Sequence, residues 1–275
     1  MNQPGDDATS EGPPRNEDAF GWAVAGRDAC ESGALELAAE AFENAIRLES
    51  EPRQLSRLWD LLGHVRWDQG RLKDAVEVFR VAIFHDGKAS GPWHDIAQIR
   101  LAQRNPADAA ELMREAIRRN PDRPKYWNTL GVAQIRLGRL EDAILSLQRY
   151  VSLDPRSAGG WANLGLAFYR RGVYSEARAA CRKSFEIDPS MADTWITLGG
   201  CDAAESDWAA AATAFRRAAD LDSREAVAWY DLIIAEASAG RLDEARRALE
   251  RLDELEPKKA AELREKLGAA GAKPG

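Results

Sequence analysis

Apolar residues in this chain are spaced for helices, and the helices come in pairs. Counted from residues 19, 56, 90, 124, 158, 192 and 226, places 4, 7, 8 and 11 of each stretch lie on one face of a helix with 3.6 residues per turn. Places 20, 24 and 27 do the same for a second helix. The fifth stretch has Trp161 at place 4, Leu164 at 7, Gly165 at 8, Phe168 at 11, Gly172 at 15, Ala177 at 20 and Pro189 at 32. The fourth carries Trp127, Leu130, Gly131, Gly138, Ala143 and Pro155 in the same places. Ala stands at place 20 in all seven (Ala38, Ala75, Ala109, Ala143, Ala177, Ala211 and Ala245). Place 24 is large or apolar: Phe42, Phe79, Met113, Leu147, Cys181, Phe215 and Leu249. Trp59, Trp93, Trp127, Trp161, Trp195 and Trp229 recur at an interval of 34 residues, and Trp22 joins the frame after three extra residues. With only nine Trp in the chain, that register marks a repeated structural unit.

The breaks between helices have equally direct causes. Gly at place 15 (Gly33, Gly70, Gly138, Gly172 and Gly240) permits the left-handed conformation that ends a first helix. Acidic residues such as Asp74, Glu141, Asp142, Glu176 and Asp243 follow, where they suit the positive end of the second helix. Pro121, Pro155 and Pro189 at place 32 stop the second helix. Small residues at places 8 and 20 let the two backbones approach, and the Trp fills the space beside them. A buried Trp removes about 150–250 Å² from water, worth roughly 4–6 kcal/mol gross per repeat at about 25 cal/mol per Å².

In period and residue type this pattern resembles the tetratricopeptide repeat over residues 19–257. The resemblance implies an all-α chain, an α-solenoid in the form of a right-handed superhelix of helix-turn-helix repeats, closed by a C-terminal capping helix. Departures concern local packing. Place 11, usually Tyr in that family, holds Ala29, Arg66, Arg100, Gln134, Phe168, Asp202 and Glu236. Arg104 and Ser206 replace Gly at place 15 in the third and sixth repeats. In the third, Asn105-Pro106 supplies an N-cap and a Pro in the first helical turn.

Composition narrows the function classes. The net charge of −7 and a pI near 5.2 argue against a nucleic-acid binder. Cys30, Cys181 and Cys201 are odd in number and unclustered, which fits a reducing, cytoplasmic setting, and the core-facing places of Cys181 and Cys201 fit inert packing. No apolar run is long enough to span a bilayer, so no membrane insertion is expected. Residues 1–18 read as a disordered acidic tail. Residues 258–275 read as the capping helix, with apolar Ala260, Leu263 and Leu267 on one side, and a frayed tail from Gly268. The Ala- and Arg-rich composition gives a bacterial impression.

The resemblance implies that places 2, 5, 9, 12 and 13 of the first helices line a groove. Later repeats present an apolar row there: Val132, Ile135, Leu166, Tyr169, Ile196, Tyr230 and Ile234. Arg136, Arg170, Lys125 and Asn128 add a basic and polar edge. Such a surface suits an amphipathic helix or an extended peptide bearing some acidic residues. The competing reading is that these side chains pack on neighbouring helices or are covered by the chain's own tails. The set of Lys and Asn with which some tetratricopeptide domains clamp a C-terminal carboxylate is absent, since the Asn at place 6 is Asn163 alone, with Val132 and Thr197 at clamp positions beside it.

Earlier repeats differ. Asp60, His64 and Asp68 fall at i, i+4 and i+8 on one face, with His94 and Asp95 at comparable depth in the next repeat. The plain reading is a solvated polar face with i,i+4 ion pairing. The other is a divalent-metal or pH-responsive site. No Gly-rich phosphate loop, nucleophile elbow or compact metal motif is present, and no cofactor is expected. The sequence therefore predicts a non-catalytic scaffold or adaptor with a protein or peptide partner. The alternatives are a ligand- or metal-responsive regulatory module and groove-mediated self-association as a homo-oligomer.

Overall fold

A computed structural model describes residues 18–271. The expected acidic tail, apart from Asp18, lies outside the described residues, as do residues 272–275. The described residues form fifteen α-helices. The chain divides into two compact units, residues 1–120 and 121–275.

The first unit holds three hairpins: α1 (Ala19–Glu31) with α2 (Leu35–Leu48), α3 (Pro52–Asp68) with α4 (Leu72–His85), and α5 (Gly91–Ala102) with α6 (Pro106–Arg119). The second holds four: α7 (Pro124–Arg136) with α8 (Leu140–Leu153), α9 (Ala158–Arg171) with α10 (Tyr174–Ile187), α11 (Ala192–Ala204) with α12 (Trp208–Leu221), and α13 (Ala226–Ser238) with α14 (Leu242–Leu255). Helix α15 (Pro257–Gly271) packs on α14 and places Ala260 and Leu263 in the core beside Leu249 and Leu252. It stays helical through Gly271, beyond the Gly268 at which fraying is expected.

The three extra residues before Trp59 become helix. α3 begins at Pro52, not residue 56, and its 17 residues make it the longest of the fifteen. Pro52 sits in the first turn and the Glu51 carboxylate accepts from the Arg53 and Gln54 amides, so the insertion is capped as one added turn.

The core is the seam between paired helices. Every Ala at place 20 is fully buried, and Phe42, Phe79, Met113 and Leu147 beside them are equally inaccessible. Cys181 and Cys201 are buried, and burial pushes their thiols up to about 12 and about 11, which leaves them protonated packing groups. In the second unit the repeated indoles are anchored. Trp127, Trp161, Trp195 and Trp229 each donate Nε1–H to the carbonyl six residues earlier, at 2.7, 3.0, 3.3 and 3.0 Å. In the first unit the corresponding carbonyl before Trp93, that of Gly87, accepts instead from Arg119 Nε (2.6 Å), whose guanidinium lies 4.6 Å over the Trp93 ring.

All seven residues at place 15 adopt the left-handed conformation, including Arg104 (φ 58°) and Ser206 (φ 65°). A side chain there carries a steric cost that Gly avoids. Arg104→Gly and Ser206→Gly should therefore each stabilise their unit by about 0.5–1 kcal/mol, the relief of about 1–2 kcal/mol of crowding less the extra freedom of Gly in the unfolded chain. Urea unfolding of the two variants checks this.

Place 11 also finds its explanation. In four of the seven repeats, where the family usually carries Tyr, this chain uses a polar link. Arg66 pairs with Glu43 of α2 (2.5 Å), Gln134 accepts from Ser146 of α8 (2.7 Å), and Asp202 accepts from Arg178 of α10 (2.8 Å). Glu236 is held by Arg216 of α12 (2.5 Å) and by Arg241. The substitution exchanges ring packing for hydrogen bonds to a second helix or the turn before it, charge-assisted at Arg66, Asp202 and Glu236 and neutral at Gln134.

Candidate functional site

In the second unit α7 packs on α9 and α9 on α11, so the first helices stand side by side. A cleft of about 310 Å³ opens among α9, α11 and α13. Its walls are Leu166, Tyr169 and Arg170 from α9, Ile196 from α11, and Val227, Asp231 and Ile234 from α13, with Trp208 and Phe215 of α12 beneath. A second cleft of about 480 Å³ shares Leu166, Ile196 and Val227 and adds Asn163, Met191, Asp193 and Glu225. The apolar lining is reachable: Val227 and Ile234 are 46% and 36% exposed. Tyr169 is held in place because Gly200 has no side chain. A Cβ at Gly200 would lie 2.7 Å from Tyr169 Cζ.

The groove residues expected from sequence divide. Leu166, Tyr169, Arg170, Ile196 and Ile234 line one cleft together. Val132 is half-buried, and Arg136 and Lys125 are exposed. Asn128 is engaged, accepting from Asn163 Nδ2 at 2.9 Å. Tyr230 is half-buried against the core of the last hairpin. Ile135 is a correction: it is 6% exposed and packs with Leu147, Val151 and Leu164. The adjacent helix α9 covers its side of α7.

Sequence reasoning missed Val227 and Asp231. Burial pushes the Asp231 carboxyl up to about 6, and among the described residues no cation pairs with it. Its folded pKa lies above that of an unfolded Asp, about 3.9. The protonated acid therefore contributes stability that is complete below about pH 4 and lost as pH rises through about 6. Near neutral pH the cleft holds a carboxylate beside apolar walls, which also raises the pKa of Tyr169 after the larger effect of burial.

In the first unit His64 Nε2 lies 3.6 Å from Asp95 Oδ2 and 4.0 Å from Asp60 Oδ2. Asp95 replaces the expected Asp68, which is exposed and outside the group. His94 is buried behind it, with Nδ1 3.1 Å from Asp95 Oδ1 and Nε2 2.9 Å from the Gln98 amide nitrogen. The same Gln98 nitrogen lies 3.2 Å from His94 Nδ1, so the imidazole sits between Gln98 and Asp95.

A family model described as the cilia and flagella-associated protein 70 C-terminal domain, itself a tetratricopeptide-repeat model, matches residues 15–188. The chain belongs to this tetratricopeptide repeat family. A second model, described as tetratricopeptide repeat, matches residues 202–267. No curated protein matches the chain in sequence. Among solved structures, a tetratricopeptide repeat protein from Parabacteroides merdae is 15% identical, with a TM-score of 0.70, over 89% of this chain and 96% of its own. PilW, described as a type IV pilus biogenesis factor, is 18% identical, with a TM-score of 0.69, over 76% and 98%. YrrB, described as having an unusual peptide-binding site, is 21% identical, with a TM-score of 0.59, over 70% and 97%. At these identities the likeness establishes the fold: an all-α solenoid of tetratricopeptide hairpins. Among the described residues no helix is long and apolar enough to cross a membrane.

Proposed function

We propose that this tetratricopeptide repeat protein is a non-catalytic interaction scaffold that seats an amphipathic helix or extended peptide along α9, α11 and α13. The observation that carries this reading is the cleft itself. Five residues drawn from three separate helices (Leu166, Tyr169, Arg170, Ile196 and Ile234) converge on one opening with exposed apolar walls. Apolar side chains gathered in one cleft beside a few charged groups are a common form of binding site. YrrB, described as having an unusual peptide-binding site, is consistent with the use of this fold for peptide capture. A partner side chain that enters the cleft meets two charges: Arg170 at the rim, which suits a partner carboxylate, and Asp231 inside, which suits a partner Lys or Arg.

The test is a pull-down from a lysate of the source cells, followed by binding of the recovered partner to purified variants. Ile234→Asp places a second carboxylate on a residue already 36% exposed, so folding should survive, as circular dichroism would show. The partner's affinity should fall at least tenfold. For a partner that places a cation in the cleft, affinity should also rise between pH 5 and pH 7, because Asp231 ionises near 6. A folded Ile234→Asp protein that retains the same partners at the same affinity overturns the assignment.

A further inference from the structure

We propose that Asp60, His64 and Asp95 form a binding site for one first-row divalent transition ion of zinc-like chemistry, separate from the cleft of the second unit. The ligand atoms are His64 Nε2 and one carboxylate oxygen from each Asp, all within 4.8 Å of one another. Around a tetrahedral ion with bonds of about 2.0–2.2 Å, ligand atoms stand about 3.3–3.6 Å apart. The 3.6 and 4.0 Å separations around His64 Nε2 therefore need only a small contraction.

Three further features favour an ion over a plain polar surface. Asp60 and His64 are one turn apart on α3, and Asp95 arrives from α5, so two elements that both pack on α4 supply the set. The His64 ring is stacked on Trp67 (6.4 Å) and meets the Phe79 edge (5.2 Å), which orients its nitrogen. The second oxygen of Asp95 is engaged by His94, a side chain 2% exposed and itself bound to Gln98. Such an outer contact orients a ligating carboxylate. The 45% exposure of the His64 side chain leaves an entry path and room for water to complete the coordination. One imidazole and two carboxylates suit zinc, cobalt, nickel or manganese; magnesium and calcium prefer oxygen alone.

The experiment uses the full chain stripped by chelation and titrated with Zn²⁺ against a colorimetric zinc indicator. One equivalent should bind at pH 7.5, with Mg²⁺ binding much more weakly. Affinity should fall at least tenfold in His64→Ala and in Asp60→Asn, and about tenfold in His94→Gln, with no change in Asp68→Asn. Asp60→Asn is nearly isosteric, so it decides the matter if His64→Ala loses helicity. An absence of stoichiometric uptake, or uptake that Asp60→Asn leaves unchanged, overturns the proposal and leaves His64 as a surface ion-pair partner.

Discussion

Gly63→Ala should destabilise the first unit by about 1–3 kcal/mol, the usual cost of overpacking a filled core, and Phe79→Met in the same chain should return most of that loss. A Cβ at Gly63 would stand 2.5 Å from Phe79 Cε1 and 2.6 Å from Cδ1. Phe79 is fully buried and cannot swing aside. The protein already contains the compensated pair. In the third hairpin place 8 is Ala97 and place 24 is Met113, both fully buried. The first and sixth hairpins repeat the Gly–Phe arrangement: a Cβ at Gly26 would lie 2.7 Å from Phe42 Cε1, and one at Gly199 2.7 Å from Phe215 Cε1. Met is narrow and flexible enough to make room for one methyl group, where a ring is not. A double-mutant cycle by urea unfolding should show a favourable coupling of about 1 kcal/mol or more. Strict additivity would mean that the contact between places 8 and 24 does not set the spacing of the hairpin.

That pairing illustrates what was legible in the sequence. Helix number, hairpin pairing and the left-handed turns follow from contacts within one repeat, and a repeated local contact leaves a periodic trace. The trace was clear at Ala75, Phe79 and Gly70, where the structure shows burial and φ of 73°. Position on a helix surface was less legible. Val132 and Ile135 both fall on the expected groove face, yet α9 covers Ile135. A helical wheel gives a direction but not the reach of the neighbouring helix. The polar cluster shows the same limit. Asp68 shares a face with Asp60 and His64, but two further turns of helix carry it away from Asp60, about 12 Å along the axis. The third member, Asp95, comes from the adjacent repeat. Asp231 left no signal because its character arises from burial in a cleft built by three helices.

The second large effect belongs to Glu236. Its replacement by Ala should cost about 2–3 kcal/mol, or roughly 5–10 °C in the unfolding midpoint of the second unit. The carboxylate is 3% exposed, while the side chains of Arg216 and Arg241 are 46% and 41% exposed. This asymmetry sets the magnitudes. Removal of Glu236 withdraws the one acceptor shared by α12 and the turn before α14, and leaves an apolar methyl group where two guanidinium groups converge. The arginines are half in water and can rehydrate, so the loss should fall below the 3–5 kcal/mol of a fully buried pair. Arg216→Ala should cost less, about 1 kcal/mol, because Glu236 keeps Arg241 as a partner. Glu236→Gln should fall between them, retaining the shape and one acceptor while losing the charge. Thermal unfolding of the three variants gives the ranking directly. Equal losses for Arg216→Ala and Glu236→Ala would show that the buried carboxylate is not the centre of this network.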